Sequence, residues 1–394
     1  MPVRGRAMRG MVLLLLGWIS AAAAQEALAP VEARVPFAPA PFIGSDGLGH
    51  LAYELHVTNI YGDTGTLRPQ GLQVFADASG TPLASFGAAD LAGMVRPAPA
   101  QGAPVAVEAG KRIEIYVWLT LPAGRPAPKR LRHRIAFAAA HGKTELLDGV
   151  PVPVSAMAPV VLGPPLRGGR WLAHEGPGNA HSHHWGSLVA VNGQVTIPQR
   201  YALDLVGLDA RGQVMRSGVR DIGKSRHADW IGYGAEVLAV ADGVVRDAHD
   251  GEQEHPPLSP QPEPASLTAR GLFGNYVVLQ IGPGMFASYA HLQRGSVKVR
   301  AGQELRRGEL LGRLGQSGNS SAPHLHFQVS DAAVFEGSEG LPYVFDRFDL
   351  RGRETEAQIF GQGEAWRPAP AERRQAQLPL NDAVIEFPPA RQRP

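Results

Sequence analysis

The histidines at positions 324 and 326 are the residues of this sequence best placed to do chemistry. If residues 323–329 form a β-strand, His324 and His326 share one face while Leu325 and Phe327 point into a core. Burying two imidazoles in an apolar strand costs free energy unless a partner satisfies them, and neutral imidazole is the commonest metal ligand among side chains. The spacing therefore indicates a cleft that binds a metal or, alternatively, two core histidines bonded to the backbone.

A third histidine, His291, stands about 33 residues before His324 in the sequence Tyr-Ala-His-Leu. Between the two, glycine recurs every few residues, at positions 302, 308, 312, 315 and 318. Regular glycines of this kind mark short turns between short strands, so the chain can fold back on itself. We expect this region to bring His291 beside His324 and His326.

This segment resembles the lysostaphin-type (LytM-like) zinc endopeptidases, whose hallmark is a YAHL-like strand, a glycine-punctuated hairpin region and a closing HLHF strand. The resemblance covers roughly residues 178–352. It implies an antiparallel β-sheet peptidase domain, a Zn²⁺ cofactor and peptidoglycan peptides as substrate. It also implies that His326 is a zinc ligand, while His291 and His324 serve proton transfer and oxyanion stabilisation beside the metal. The sequence leaves open which of these two is the base.

A hydrolytic zinc site needs three protein ligands and one open position for water. The resemblance implies that a histidine and an aspartate on the amino-terminal side complete the set, in many relatives as one His-x-x-x-Asp unit. The match to that aspartate is Asp204, but the residue four positions before it is Arg200, which cannot bind a metal. The first ligand must therefore come from elsewhere in the chain.

Residues 176–185 offer three candidates for that ligand, and we favour His184 over His183. The alternative is that this histidine-rich run is a solvated loop. His227 and Asp229 form a rival pair, because a strand typical of the family follows them directly, whereas an insertion of about thirty residues separates it from Asp204.

We favour Asp204 because the residues around it alternate like a strand that ends at the cleft. The predicted metal ligands are thus His184, Asp204 and His326. With this set complete, the resemblance implies an exported metalloendopeptidase that cleaves peptide bonds of peptidoglycan through a zinc-bound water. The alternative is a non-catalytic LytM-like regulator of cell-wall hydrolases, since such regulators typically lack metal ligands. A lipoyl-like carrier fold is disfavoured because no lysine stands at a suitable hairpin tip.

The elements that must position these residues follow from periodicity and composition. Period-two runs such as residues 51–57 and 112–119 predict an immunoglobulin-like β-sandwich at residues 25–155. A segment rich in proline and glycine, residues 156–175, predicts a linker before the peptidase domain at residues 176–352. We expect residues 353–394 to be a poorly ordered tail. The predicted fold is thus mainly β, with a sandwich followed by an antiparallel sheet.

The composition of the chain indicates its cellular compartment and excludes some classes of partner. Residues 1–24 carry arginines, a short apolar run and small residues, which predicts a signal peptide and export to the periplasm or the exterior. No later stretch is apolar enough to span a bilayer, so no integral membrane segment is expected in the mature chain. A net charge of +2 gives no reason to expect nucleic acid as a partner, and the chain has no cysteine for disulfides. The oligomeric state stays open.

Overall fold

The structure is a computed structural model that describes residues 27–139, 142–219, 221–260 and 269–389. The predicted signal peptide, residues 1–24, lies outside the described residues. The fold is mainly β, as the sequence predicts. Among the described residues, no helix has the length and apolar character needed to cross a membrane.

The elements up to residue 153 are mostly long strands. They are β1 (Ala27–Leu28), β2 (Val31–Arg34), β3 (Phe42–Ile43), β4 (Gly49–Asn59), β5 (Arg68–Ala76), β6 (Pro82–Gly87), α1 (Ala88–Met94), β7 (Val95–Arg96), β8 (Arg112–Leu121), β9 (Arg130–Ala138) and β10 (Thr144–Pro153).

These strands form two five-stranded sheets around one core. One sheet has the order β1-β10-β9-β5-β6, and the other has the order β2-β4-β8-β7 with β3 paired to β4. Alternate residues of β4, including Leu51 and Leu55, meet Leu72 and Ile135 of the facing sheet in a fully buried cluster. This arrangement is a sandwich, and its immunoglobulin-like character stays a prediction.

The second face of β4 is also buried, although it carries polar residues that would be expected on an exposed face. Glu54 and His56 are 3% and 2% exposed, and Ala52 belongs to the core of the carboxy-terminal part of the chain. Most of the strand therefore lies between two cores, because the sandwich packs against the second sheet.

The carboxy-terminal part has shorter strands. They are β11 (Val160–Leu162), β12 (Arg170–His174), β13 (Val189–Val191), β14 (Gln194–Thr196), β15 (Leu203–Leu208), β16 (Glu236–Leu238), β17 (Gly243–His249), α2 (Ala269–Phe273), β18 (Tyr276–Gly282), β19 (Met285–Ala290), β20 (Glu304–Leu305), β21 (Leu310–Arg313), β22 (Leu325–Ser330), β23 (Tyr343–Arg353), α3 (Glu356–Ile359), β24 (Glu372–Gln377) and β25 (Ala383–Glu386), with 3₁₀ turns at Ile222–Lys224 and His227–Asp229.

An eleven-stranded sheet organises this part. Its order is β11-β23-β25-β12-β15-β22-β19-β18-β17-β20, and β24 pairs with β23. Two small ladders, β13 with β14 and β16 with β21, stand beside it. The strands β15, β22 and β19 lie side by side in the large sheet. Asp204 lies in β15, His326 lies in β22, and His291 follows β19 directly.

Two predicted boundaries differ from the structure. The expected linker, residues 156–175, contains β11 and β12, both paired in the large sheet. The expected poorly ordered tail, residues 353–394, contains α3, β24 and β25, with Val384 and Ile385 fully buried. These short strands give little periodic signal, because each has three to six residues and at most three of them are buried.

Candidate metal centre

The centre of the site is a pair of neighbouring strands, β15 and β22. They run antiparallel with Asp204 directly opposite His326. Oδ1 of Asp204 lies 3.1 Å from Nδ1 of His326, and both residues are buried. Leu325 and Phe327 point into the core, whereas His324 and His326 line one cavity, as the alternation predicts.

Hydrogen bonding selects the ring nitrogen that His326 presents to Asp204. Nε2–H of His326 donates to Oε1 of Gln328 at 2.8 Å. The amide nitrogen of Gln328 donates to the carbonyl of Pro198 at 3.3 Å, which fixes the orientation of the amide. With Nε2 protonated, the lone pair of His326 is on Nδ1, which faces Asp204.

His184 reaches the same carboxylate from residues 175–187, here called the histidine loop. Nδ1–H of His184 donates to the backbone carbonyl of Glu175 at 3.0 Å, and the Ser182 hydroxyl donates to the same carbonyl at 2.8 Å. Nε2 of His184 therefore carries the lone pair, and it lies 3.4 Å from Oδ1 of Asp204. Two imidazole lone pairs thus converge on one carboxylate oxygen.

The residues at this point fit a metal ion. Nε2 of His184 is buried and has no hydrogen-bond partner in the described part of the chain, since its contact with Asp204 lacks hydrogen-bond geometry. A buried hydrogen-bond acceptor without a donor costs about 1–3 kcal/mol. Because the lone pair of His184 faces another acceptor, the carboxylate of Asp204, a cation between them would satisfy both. Two imidazoles and one carboxylate are also a donor set that zinc uses in catalytic sites.

His183 lies at the mouth of the same site. The ligand atoms of His183, His184 and Asp204 all lie within 4.8 Å of one another. The side chain of His183 is 65% exposed, and its Nδ1 lies 3.3 Å from the carboxylate of Glu175. His184 is 1% exposed and its free nitrogen points inward. Geometry therefore favours His184 as the ligand, in line with the order of preference from the sequence.

His291 enters the cavity from the end of β19. Its backbone has φ +59°, a left-handed conformation that is uncommon for residues other than glycine and recurs at functional sites. Nδ1–H of His291 donates to the carbonyl of Ser317 at 2.8 Å, so Nε2 is the nitrogen left for the cavity. Its ring centroid lies 4.7 Å from that of His324 and 5.9 Å from that of His326.

His324 is held in a similar way. Its Nδ1–H donates to the carbonyl of Ala322 at 2.7 Å, and its Nε2 lies 3.4 Å from Oδ1 of Asp204. The structure thus brings all five predicted site residues into one cluster. His291 and His324 both use Nδ1 for anchoring and both leave Nε2 for chemistry.

The electrostatics keep the ligand nitrogen of His184 unprotonated at neutral pH. Burial lowers the pKa of His184 to about 4. Burial, with smaller contributions from His324 and His326, lowers the pKa of His291 well below its usual value. Burial raises the pKa of Asp204, but the nearby His324 and His184 outweigh it, so the net pKa of Asp204 lies well below its usual value.

A cavity of about 450 Å³ opens above this cluster. Apolar side chains form part of its wall, and polar loop residues form the rest. The lining includes Leu188, Val189, Leu272, Phe273, Phe335, Gln199, Asn319, Ser320 and Ser321. A segment of substrate with both apolar and polar groups would fit these walls.

The rival pair, His227 and Asp229, is absent from the described lining of this cavity. The Asp229 carboxylate binds the guanidinium of Arg226 at 3.0 Å and its backbone N–H at 2.8 Å. His227 contacts the carbonyl of His255 at 2.7 Å through Nε2 and stacks on Tyr233. Both residues have partners away from Asp204 and His326.

Sequence reasoning missed two residues that orient the ligands. Gln328 stands two positions after His326, so the same alternation that pairs the histidines places it on their face. Glu175, at φ +51°, turns its carbonyl toward His184, and no sequence pattern signals that conformation.

Comparison with known proteins finds a family match over the part of the chain that contains three of these residues. The description Peptidase family M23 matches residues 229–336, which contain His291, His324 and His326. Asp204 and His184 lie before the matched residues. No curated protein sequence matches the chain.

Solved structures of low identity are also similar to the chain. Lysostaphin from Staphylococcus simulans, as its catalytic domain, is 20% identical over 41% of this chain and 80% of its own, with a TM-score of 0.22. The catalytic domain of the prophage-encoded M23 protein EnpA from Enterococcus faecalis is 15% identical over 33% and 83%, with a TM-score of 0.21. A putative peptidase M23 from Pseudomonas aeruginosa is 15% identical over 71% and 92%, with a TM-score of 0.22.

The match at residues 229–336 covers the strand before His291, the glycine-rich turns and the closing strand with His324 and His326. The chain therefore carries a domain of peptidase family M23, the family of LytM-like and lysostaphin-like metallopeptidases.

Proposed function

We propose that this protein is an exported zinc metalloendopeptidase that hydrolyses peptide bonds of bacterial cell-wall peptidoglycan. The observation that carries the proposal is the convergence of His184 and His326 on one carboxylate oxygen of Asp204, together with a buried nitrogen of His184 that has no hydrogen-bond partner among the described residues. The M23 domain supports a peptidase, and the predicted signal peptide at residues 1–24 supports export.

His184, Asp204 and His326 would hold the zinc ion through Nε2, a carboxylate oxygen and Nδ1 respectively. When bound, zinc supplies Lewis-acid activation of water and of the scissile carbonyl. The three residues supply two ring nitrogens and one carboxylate, and hydrogen bonds to Glu175 and Gln328 orient the rings of His184 and His326 respectively.

His291 and His324 provide the proton chemistry. Each ring is fixed by a hydrogen bond from Nδ1 to a backbone carbonyl, so each can accept or donate a proton only at Nε2. One of them, neutral and with its lone pair on Nε2, would take a proton from the attacking water. The other, protonated on Nε2 as well as Nδ1, would donate a hydrogen bond from Nε2 to the developing oxyanion. Groups in these roles contribute roughly 10²- to 10⁴-fold to the rate.

The cavity walls support a peptide as the substrate. The lining includes the apolar Phe273 and Phe335 and the polar Asn319 and Ser320. A peptide with short apolar side chains and exposed amides, such as a peptidoglycan stem or cross-link, matches this mixture of groups.

The proposal is tested on the purified protein lacking residues 1–24. We expect about one zinc per chain and clearing of a peptidoglycan suspension. His326→Ala is expected to lose both zinc and activity, whereas His291→Ala is expected to keep zinc and lose activity. A wild-type protein that binds zinc but cleaves no peptidoglycan would favour the regulator, and one that binds no zinc would contradict the metal site.

A further inference from the structure

The outer face of the sandwich sheet formed by β4 and β8 packs against the histidine loop. Ala52 of β4 and Tyr116 of β8 belong to the same buried cluster as Trp185 of the loop. The Trp185 ring lies 5.5 Å from the ring of Tyr116 and 6.1 Å from that of Trp118, both edge-on. The loop that carries His184 is thus packed against the amino-terminal domain.

A single carboxylate of the sandwich, Glu54, meets both segments that carry the amino-terminal ligands. Nε1–H of Trp185 donates to Glu54 Oε1, and Trp185 directly follows His184. Nη1 of Arg200, four residues before Asp204, donates to the same oxygen. Glu54 and Trp185 are 3% and 2% exposed, so water does not screen these contacts.

Arg200 is also held from the far side of the sheet. Its Nη2 lies 2.5 Å from Glu339, a residue of the loop between β22 and β23. Arg200 stands at the sequence position where relatives with a His-x-x-x-Asp unit have a ligand, and its guanidinium here binds the buried side chains of Glu54 and Glu339. Removing one partner of such a group leaves a buried charge partly unpaired, which is strongly destabilising.

These contacts make the sandwich part of the support of the metal centre. We infer that Glu54 is a positioning residue for zinc, which sets His184 through Trp185 and Asp204 through Arg200. The inference rests on the proposed zinc site. Residues behind metal ligands typically change metal affinity by roughly 10- to 100-fold when they are replaced.

The test compares two substitutions that break different parts of this contact. Trp185→Phe removes only the indole donor and keeps an aromatic ring against Tyr116. Glu54→Leu removes the acceptor of both Trp185 and Arg200. The matched control is Glu114→Leu, because Glu114 is also a buried glutamate of the same sheet, but its hydrogen-bonded partner is Arg112 of its own strand.

The main measurement is the zinc dissociation constant, obtained by competition with a chelator, with thermal unfolding of the zinc-free protein as the second. We expect Trp185→Phe and Glu54→Leu to weaken zinc binding by roughly 10- to 100-fold, and Glu114→Leu to leave it near the wild-type value. Glu54→Gln keeps an acceptor for Trp185, so it should recover part of the affinity. A merely structural role for Glu54 would lower the unfolding temperature without this pattern in zinc binding.

Zinc affinity of Trp185→Phe equal to that of the wild type would overturn the inference, even if Glu54→Leu failed to fold. Equal loss in Glu114→Leu would overturn it as well, because the effect would then belong to the sandwich in general. If the wild-type protein bound no zinc at all, the proposed function would fail together with the inference. Tight zinc binding by the wild type and by all variants would overturn the inference about Glu54 but would leave the proposed function standing.

Discussion

Replacing Asp204 by asparagine tests the centre of the site with the smallest change of shape. Oδ1 of Asp204 lies 3.1 Å from Nδ1 of His326 and 3.4 Å from Nε2 of His184 and of His324. No other carboxylate lines the described cavity. Asparagine keeps the size of the side chain but removes the negative charge that offsets the charge of a divalent ion.

The expected loss of zinc affinity is at least 100-fold. Replacing a residue behind a metal ligand already costs roughly 10- to 100-fold, so loss of a charged ligand should reach or exceed the upper value. A 100-fold change in the dissociation constant corresponds to about 2.7 kcal/mol. The zinc-free variant should still fold, because asparagine is nearly isosteric with aspartate at this position.

The assay measures zinc stoichiometry and affinity at equal protein concentration, with Asp229→Asn as the matched control. Asp229 binds Arg226 outside the cavity, so its variant should hold about one zinc per chain. Full zinc binding by Asp204→Asn would refute the ligand assignment. Loss of zinc in Asp229→Asn alone would instead move the site to His227 and Asp229.

Three further predictions concern the support of the site and the fold. Gln328→Leu removes the acceptor that sets the tautomer of His326, so zinc affinity measured by chelator competition should fall roughly 10- to 100-fold; unchanged affinity would contradict this role. Burial raises the pKa of Glu339 from 4.5 to about 7 although Arg200 opposes the shift. Between pH 4.5 and about 7 the folded protein keeps the proton on Glu339, whereas the unfolded chain releases it. The protonated Glu339 therefore contributes its full stability below pH 4.5, and this contribution is lost as the pH rises through about 7. The melting temperature of the wild type relative to that of Glu339→Gln should fall as the pH rises across this range, and a difference that does not change with pH would contradict the prediction. Ile385→Ala should lower the free energy of unfolding by about 2–5 kcal/mol in denaturant titrations, because Ile385 is fully buried; an exposed tail would show no change.

The sequence predicted which residues lie together in the cavity better than it predicted the strands around them. His324 and His326 alternate with Leu325 and Phe327, and this short-range pattern survives folding because the two faces of β22 have different surroundings. Asp204 was also predictable from alternation, and the structure places it opposite His326.

Long-range features were not predictable from local patterns. Glu54 alternates with apolar residues and indicates an exposed face, but a second domain covers that face and supplies Arg200 as its partner. The contact of Trp185 with Glu54 was not predictable either, because the two residues lie 131 positions apart in the chain. Likewise, β25 is too short to produce a periodic signal and takes its stability from strands distant in sequence.

The place of β25 between β12 and β23 sets an order for folding. Arg170 of β12 and Glu386 of β25 are hydrogen-bonded across 216 residues of chain. Contacts of such high sequence separation close large loops and form late and slowly. A nascent chain that has not reached β25 lacks the neighbour of β12, and β12 in turn supports β15 with Asp204. We therefore expect the proposed metal centre to form only after β25 has been synthesised and has paired with β12.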